Sequence, residues 1–201
     1  EDIFCLLNSD VEVCENWLPP ILNAFKKEEK TAIIQPKLLN FKKRNYFDYA
    51  GAAGGFIDKF GYPYCRGRIF NSIEEDLGQY NDSLDIFWAS GACLFVRNKV
   101  FKELGGFDEL FFAHMEEIDL CWRAKNLGYY IKYVWQSKVY HVGGATLSAM
   151  NPKKTFLNFR NSLFTLTKNA KGNLFFIILT RLILDGIAGI KFLLSLKPNH
   201  T

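Results

Sequence analysis

Ile3-Phe4-Cys5-Leu6-Leu7 is an unbroken apolar run that stops at Asn8-Ser9-Asp10. A run of this length ended by polar turn formers predicts a strand buried on both faces, its carboxyl end open towards a site. Asn16 is placed to cap a helix over 17–27, where Pro19 and Pro20 fit only in the first turn. The charged run from Lys26 to Lys30 then reads as a solvated helix end, and a second strand follows over 31–36. Across 38–84 the periodicity fails: glycines interrupt a series of aromatics, and loops of that length inside a domain are usually functional or mobile. Strand character resumes over 85–96, around Ser90-Gly91-Ala92. A short helix over 98–104 ends at Gly105, and a second over 116–127 is closed by Gly128. Alternation of period two marks a strand over 129–142, with His141 at its end.

Beyond Pro152 the pattern turns helical, over 154–169 and 174–196. The last helix carries a narrow polar stripe of Arg181, Asp185, Lys191 and Ser195 on an otherwise apolar surface. Three charges inside one span would each cost roughly 2.5–3.5 kcal/mol near a bilayer centre, so this helix is expected to lie in the membrane interface or to pack on the domain.

Composition sharpens this division. The chain has 201 residues, 49% of them apolar and 19 of them Phe, enough for one well-buried domain with an appendage. The net charge of +4 is the sum of a body at −3 over 1–150 and a tail at +7 from Asn151 onward. A mildly acidic body with a basic, greasy tail excludes a nucleic-acid binder and suits a membrane-surface protein. Five scattered cysteines without a Cys-x-x-Cys pair read as reduced thiols in a cytoplasmic setting.

The densest chemistry lies in Gly105 to Arg123, which ends in Glu116, Glu117, Asp119 and Arg123. Acids in a first helical turn favour the helix dipole, and Asp119 with Arg123 makes an i,i+4 ion pair, so this cluster has an ordinary structural explanation beside a catalytic one. Asp10 and His141, each at a strand end, could converge on one divalent cation, since carboxylate and imidazole suit manganese or magnesium with phosphate oxygens completing the shell. Taken singly, each is as well explained by a turn or a satisfied polar residue.

In order, Leu6 to Glu12, Ser90-Gly91-Ala92 with Arg97, Gly105 to Glu109, Glu116 to Arg123 and Tyr140 to Gly144 together resemble glycosyltransferase family 2, nearest to its bacterial rhamnosyltransferase-like members. The resemblance implies an α/β fold of GT-A type, a mixed sheet flanked by helices, and an inverting transfer of sugar from a nucleotide-diphosphate donor to an acceptor hydroxyl in cell-surface polysaccharide synthesis. It places Asn8-Ser9-Asp10 at the family's Asp-x-Asp element, with Asp10 on a magnesium or manganese ion that His141 completes. Asn8 replaces the first acid and is left to bind donor. Glu116-Glu117 falls at the family's Glu-Asp element, making Glu117 the general base and Glu116 its supporting acid. Trp88, Ser90, Gly91 and Ala92 fall where donor sugar and acceptor pass, while Asp119 and Arg123 are structural.

The family's first β-α units, which hold the nucleotide base, have no counterpart upstream of Ile3. The fold is therefore expected to be incomplete at the N-terminus: residues 1–150 form the C-terminal part of a catalytic domain, and 151–201 a basic, apolar helical extension. Weak donor binding, little turnover by this chain alone and self-association through an uncovered first strand are expected with it. Expected partners are a nucleotide sugar, a saccharide or lipid-linked saccharide acceptor and the cytoplasmic face of a membrane, with no nucleic acid. Two other readings remain: a non-catalytic module docking on a membrane or partner, and another metal enzyme acting on nucleotide diphosphates.

Overall fold

A computed structural model describes residues 2–143 and 152–194; Gly144, Ser195 and the other residues expected to extend the final strand and helix lie outside them. The chain opens with β1 (Ile3–Leu7), β2 (Val11–Val13), α1 (Leu18–Lys27) and β3 (Thr31–Asn40). A small antiparallel sheet follows, made of β4 (Gly55–Ile57), β5 (Pro63–Cys65), β6 (Arg68–Ile69) and β7 (Ser72–Ile73). Then come β8 (Leu84–Ile86), β9 (Cys93–Arg97), α2 (Asn98–Glu103), α3 (Glu116–Asn126), β10 (Tyr130–His141), α4 (Pro152–Asn169) and α5 (Leu174–Leu194).

The main sheet runs β1-β9-β3-β10-β2, with β8 also paired to β10. Its centre is the parallel pair β3 and β10; β9 lies antiparallel to β3, and β2 antiparallel to β10. This is the expected mixed α/β sheet. Ile34, Leu38, Phe95 and Val134 pack on Ile21 and Phe25 of α1, while Ile33, Leu94, Val96 and Ile131 pack on Ile118, Leu120 and Cys121 of α3. Alternation along each strand thus supplies two apolar layers and puts a helix on either face.

Four local expectations are corrected. β1 is an edge strand paired only to β9 within the described sheet, and it is half-exposed rather than buried on both faces. Asn16 does not cap α1: Trp17 holds that position without a side-chain hydrogen bond, and Asn16 takes φ 57° in the preceding turn. The strand expected over 31–36 runs on to Asn40, because the register with β10 shifts between the Val134 and Lys138 pairings, where Pro36 and Lys37 are opposed. A bulge is where a ladder tolerates a residue without an N–H. The strand expected over 85–96 is two strands, since Ser90-Gly91-Ala92 forms a turn between β8 and β9.

The aperiodic 38–84 region is ordered by polar groups that β3 carries inward. Lys37 Nζ donates to both oxygens of Asp76 at 2.8 and 2.7 Å and to Asn81 Oδ1 at 2.7 Å. Gln35 Nε2 donates to Gly51 O at 3.0 Å, while its Oε1 accepts from Ser90 N at 2.8 Å. Burial drives the Lys37 pKa down against the opposing pull of Asp76.

α4 is built into the body. Asn169 Nδ2 donates to Asp119 Oδ1 at 2.7 Å, Asn126 Nδ2 to Asn169 O at 2.9 Å, and Ser162 Oγ to Gly61 O at 3.2 Å.

Candidate functional site

At the carboxyl ends of β1 and β10, beside the first turn of α3, lies a cavity of about 350 Å3. Asn8, Asp10, Trp88, Glu117 and His141 all line it, so five residues singled out from the sequence converge. His114, Lys154 and Asn158, together with Tyr49 and Arg68, also line it and were not expected there.

Asp10 and His141 are held together by their strands. Val142 N donates to Asp10 O at 3.0 Å, which brings His141 Nε2 to 3.4 Å from Asp10 Oδ1. On its other side His141 Nδ1 lies 3.1 Å from Asp48 Oδ2, and Asp48 is almost fully buried. Burial alone would lower the His141 pKa; the hydrogen bond and charge of Asp48, joined by Asp10, outweigh it and raise the pKa above the usual value. With Nδ1–H donated to Asp48, Nε2 is left facing Asp10. This is the outer-shell arrangement that fixes the tautomer of metal-binding histidines, so the donor set fits a divalent cation. Among the described residues no cluster of three or more His, Cys, Asp or Glu forms a metal site from protein ligands alone; a cation held by Asp10 and His141 would take its other ligands from substrate and water.

Glu117 sits at the start of α3. The helix begins on Met115 in a left-handed conformation, without a side-chain cap. Burial, then the neighbouring Glu116, raises the Glu117 pKa to about 8, against backbone N–H groups of Glu117, Gly91 and Ile118 that hold it down. Its Oε2 is buried with no hydrogen-bond partner. Burial also raises the pKa of Glu116, which does not line the cavity.

The loop before α3 is strained: Phe112, His114 and Met115 take φ of 62°, 68° and 75°. Such conformations persist only where neighbours over-determine them. Asn161 of α4 does this, its Nδ2 lying 2.9, 2.8 and 2.7 Å from the carbonyls of Phe111, Ala113 and His114. His114 itself, its pKa lowered by burial and then by Lys154, turns a buried, unpartnered Nε2 into this region.

Trp88 reaches the cavity because Gly55 lets its indole lie flat on the backbone; a Cβ there would fall 2.1 Å from the ring. The indole Nε1 donates to Phe56 O at 2.8 Å. Ser90 and Ala92 are not brought to the cavity. Both are buried, and Ser90 Oγ accepts from Ala92 N at 3.2 Å, so they shape the turn that carries Gly91 against Glu117. Asp119 is fully buried beneath Arg123, whose Nε donates to Asp119 Oδ2 at 2.7 Å. The same guanidinium donates to Leu104 O at 2.6 Å and Gly106 O at 2.9 Å, tying the Gly105-Gly106 turn to α3.

No protein-family model matches the chain. Over 54 residues it is 44% identical to an N-acetylglucosaminyl-diphospho-decaprenol L-rhamnosyltransferase of Mycobacterium tuberculosis, covering 27% of this chain and 18% of that protein. Over 134 residues it is 36% identical to the rhamnosyltransferase WbbL of Escherichia coli, covering 67% of this chain and 50% of WbbL. The crystal structure of GalNAc-T7 with UDP, GalNAc and Mn2+ superposes with a TM-score of 0.58 at 15% identity, over 83% of this chain and 31% of that one. This is a glycosyltransferase-like chain of GT-A fold. It spans half or less of the length of these relatives. Within this glycosyltransferase-like site Asp48 was the residue the sequence hid: it stands in the aperiodic 38–84 region, where only its place in Tyr46-Phe47-Asp48-Tyr49 among apolar neighbours hinted at burial.

Proposed function

We propose that the protein transfers a sugar from a nucleoside-diphosphate donor to a hydroxyl of a saccharide acceptor, with inversion at the anomeric carbon, in the synthesis of a surface polysaccharide. The observation that carries this reading is the convergence of Glu117, pushed to a pKa of about 8, with the Asp10–His141 pair on one cavity. An acceptor hydroxyl is a poor nucleophile until a carboxylate within about 2.6–3.2 Å takes its proton, and a base is best matched when its pKa lies near the working pH. Glu117 would receive that proton at its unpartnered Oε2. Trp88 contributes a largely buried indole to the cavity wall, and Lys154 a positive charge on the wall where diphosphate would lie.

Asp10 and His141 would hold a magnesium or manganese ion, which when bound neutralises charge on the leaving diphosphate. Asp48 would keep the His141 ring oriented. An acceptor carried on a lipid diphosphate is supported by the substrate named for the mycobacterial relative, and would place the reaction at a membrane surface.

Product analysis is expected to find sugar on the acceptor rather than free in solution, and Asp10→Ala to remove that product. Free sugar or nucleoside monophosphate as the sole product would assign the site to a nucleotide-diphosphate hydrolase instead. Asp48→Asn is expected to weaken Mn2+ binding about 10- to 100-fold, read by electron paramagnetic resonance, although Asp48 would not touch the ion. Unchanged affinity would remove Asp48 from the site.

A further inference from the structure

α5 is amphipathic in the wrong sense for a helix packed on a globular body. Arg181 is its one fully buried side chain among the described residues. The Arg181 guanidinium lies 3.6 Å from the centre of the Tyr62 ring, donates to Phe60 O at 3.1 Å and pairs with Asp185 at 3.0 Å. Tyr62 Oη donates to the same carboxylate at 2.6 Å. Arg181 and Asp185 of the polar stripe are thus turned inward and consumed. Phe175, Phe176, Leu179, Ile183, Ile187 and Ile190 face outward, each between 45% and 68% exposed. Isolated exposed apolar residues are ordinary, but a continuous strip along a 21-residue helix is not.

We propose that this strip rests in the headgroup layer of an anionic bilayer, with α5 lying flat and its apolar side down. Three observations select lipid over a second copy of the chain. Among the described residues no helix is long and apolar enough to cross a membrane, so a surface position is the one available to α5. Lys171 stands at the start of the strip, where an interfacial helix places cations against lipid phosphates. Between Pro152 and Leu194 there are seven Lys and Arg against the single acid Asp185; Arg181 is spent on that acid and Lys168 pairs with Asp108, and the segment stays net positive. A twofold contact between two such faces would bring cation against cation, whereas an anionic leaflet attracts them. A groove of about 500 Å3 between α4 and α5, walled by Phe156, Phe159, Leu163 and Phe192, reaches the exposed Leu182 beside this strip and extends its apolar surface.

The surface is independent of the transfer reaction, and its test needs no turnover. In flotation assays the protein is expected to rise with vesicles of phosphatidylethanolamine and phosphatidylglycerol, and several-fold less with phosphatidylcholine alone or in 0.5 M salt. The double variant Ile183→Ser, Ile187→Ser should bind at least tenfold more weakly with an unchanged circular dichroism spectrum, while Phe70→Ser, at an exposed aromatic of the small sheet, should bind as the parent does. Failure of the parent to float, or equal binding by the double variant, overturns the proposal. So does a dimer, seen by light scattering, that the double variant converts to monomer.

Discussion

Replacing Glu117 by glutamine is expected to lower kcat by about 10^2- to 10^4-fold, the range a positioned general base contributes, while making the protein more stable at alkaline pH. The second effect follows from the same burial as the first. The folded carboxyl titrates near 8, against about 4.3 in an unfolded chain. Between those values the folded state keeps a proton that the unfolded state has released, so stability falls as pH climbs through the window. Glutamine does not ionise and escapes the loss, which is on the order of 5 kcal/mol at its full extent. Thermal unfolding of parent and variant should therefore nearly coincide at pH 5 and diverge by pH 8.5, with the variant higher. Parent kcat should rise through the same interval as the base loses its proton. A Glu117→Gln enzyme with parental turnover, or a Tm difference that does not change with pH, would remove Glu117 from the role of base.

The second large effect belongs to Asp119. Alanine at this position is expected to cost about 3–5 kcal/mol, because it leaves Arg123 partly buried without its counter-charge and strips the acceptor from Asn169. At roughly 2–4 °C per kcal/mol for a chain of this size, Tm should drop by about 10 °C. The exposed pair of Asp108 with Lys168 offers the contrast: Asp108→Ala should cost under about 1 kcal/mol. A loss for Asp119→Ala no larger than this would mean that Arg123 holds the Gly105-Gly106 turn without Asp119.

The residues legible in the sequence were those at the ends of periodic elements. Asp10 closes an apolar run and His141 an alternating one, so each could be placed at a strand end before any partner was known. Glu117 was legible as a helix start crowded with acids. Asp48 and Asn161 were not: the first lies where no period governs the chain, and the second is a polar residue on a helix whose inward face is defined only by the loop it holds. Ser90 and Ala92 misled for a related reason, since a small-residue turn between strands has the same composition whether it lines a cavity or supports one. The polar stripe of α5 was visible, but its direction depends on Tyr62 and Phe60, more than a hundred residues earlier in the chain. The edge position of β1 was hidden because an apolar run records hydrophobicity and not the number of its neighbours.

The inward polar pair on β3 bears on how the sheet chooses its alignment. Gln35 and Lys37 point to the same side as Ile33 and Leu39, whereas Ile34 and Leu38 point towards α1. Sliding β3 by a single residue against its neighbours would exchange the two sides. Lys37 would then lose Asp76 and Asn81 and meet the apolar side chains of Ile21 and Phe25. An all-apolar strand would tolerate that slip far better. These two side chains thus make the wrong alignment prohibitive, and with it they fix where the strand ends that carry Asp10 and His141 come to rest.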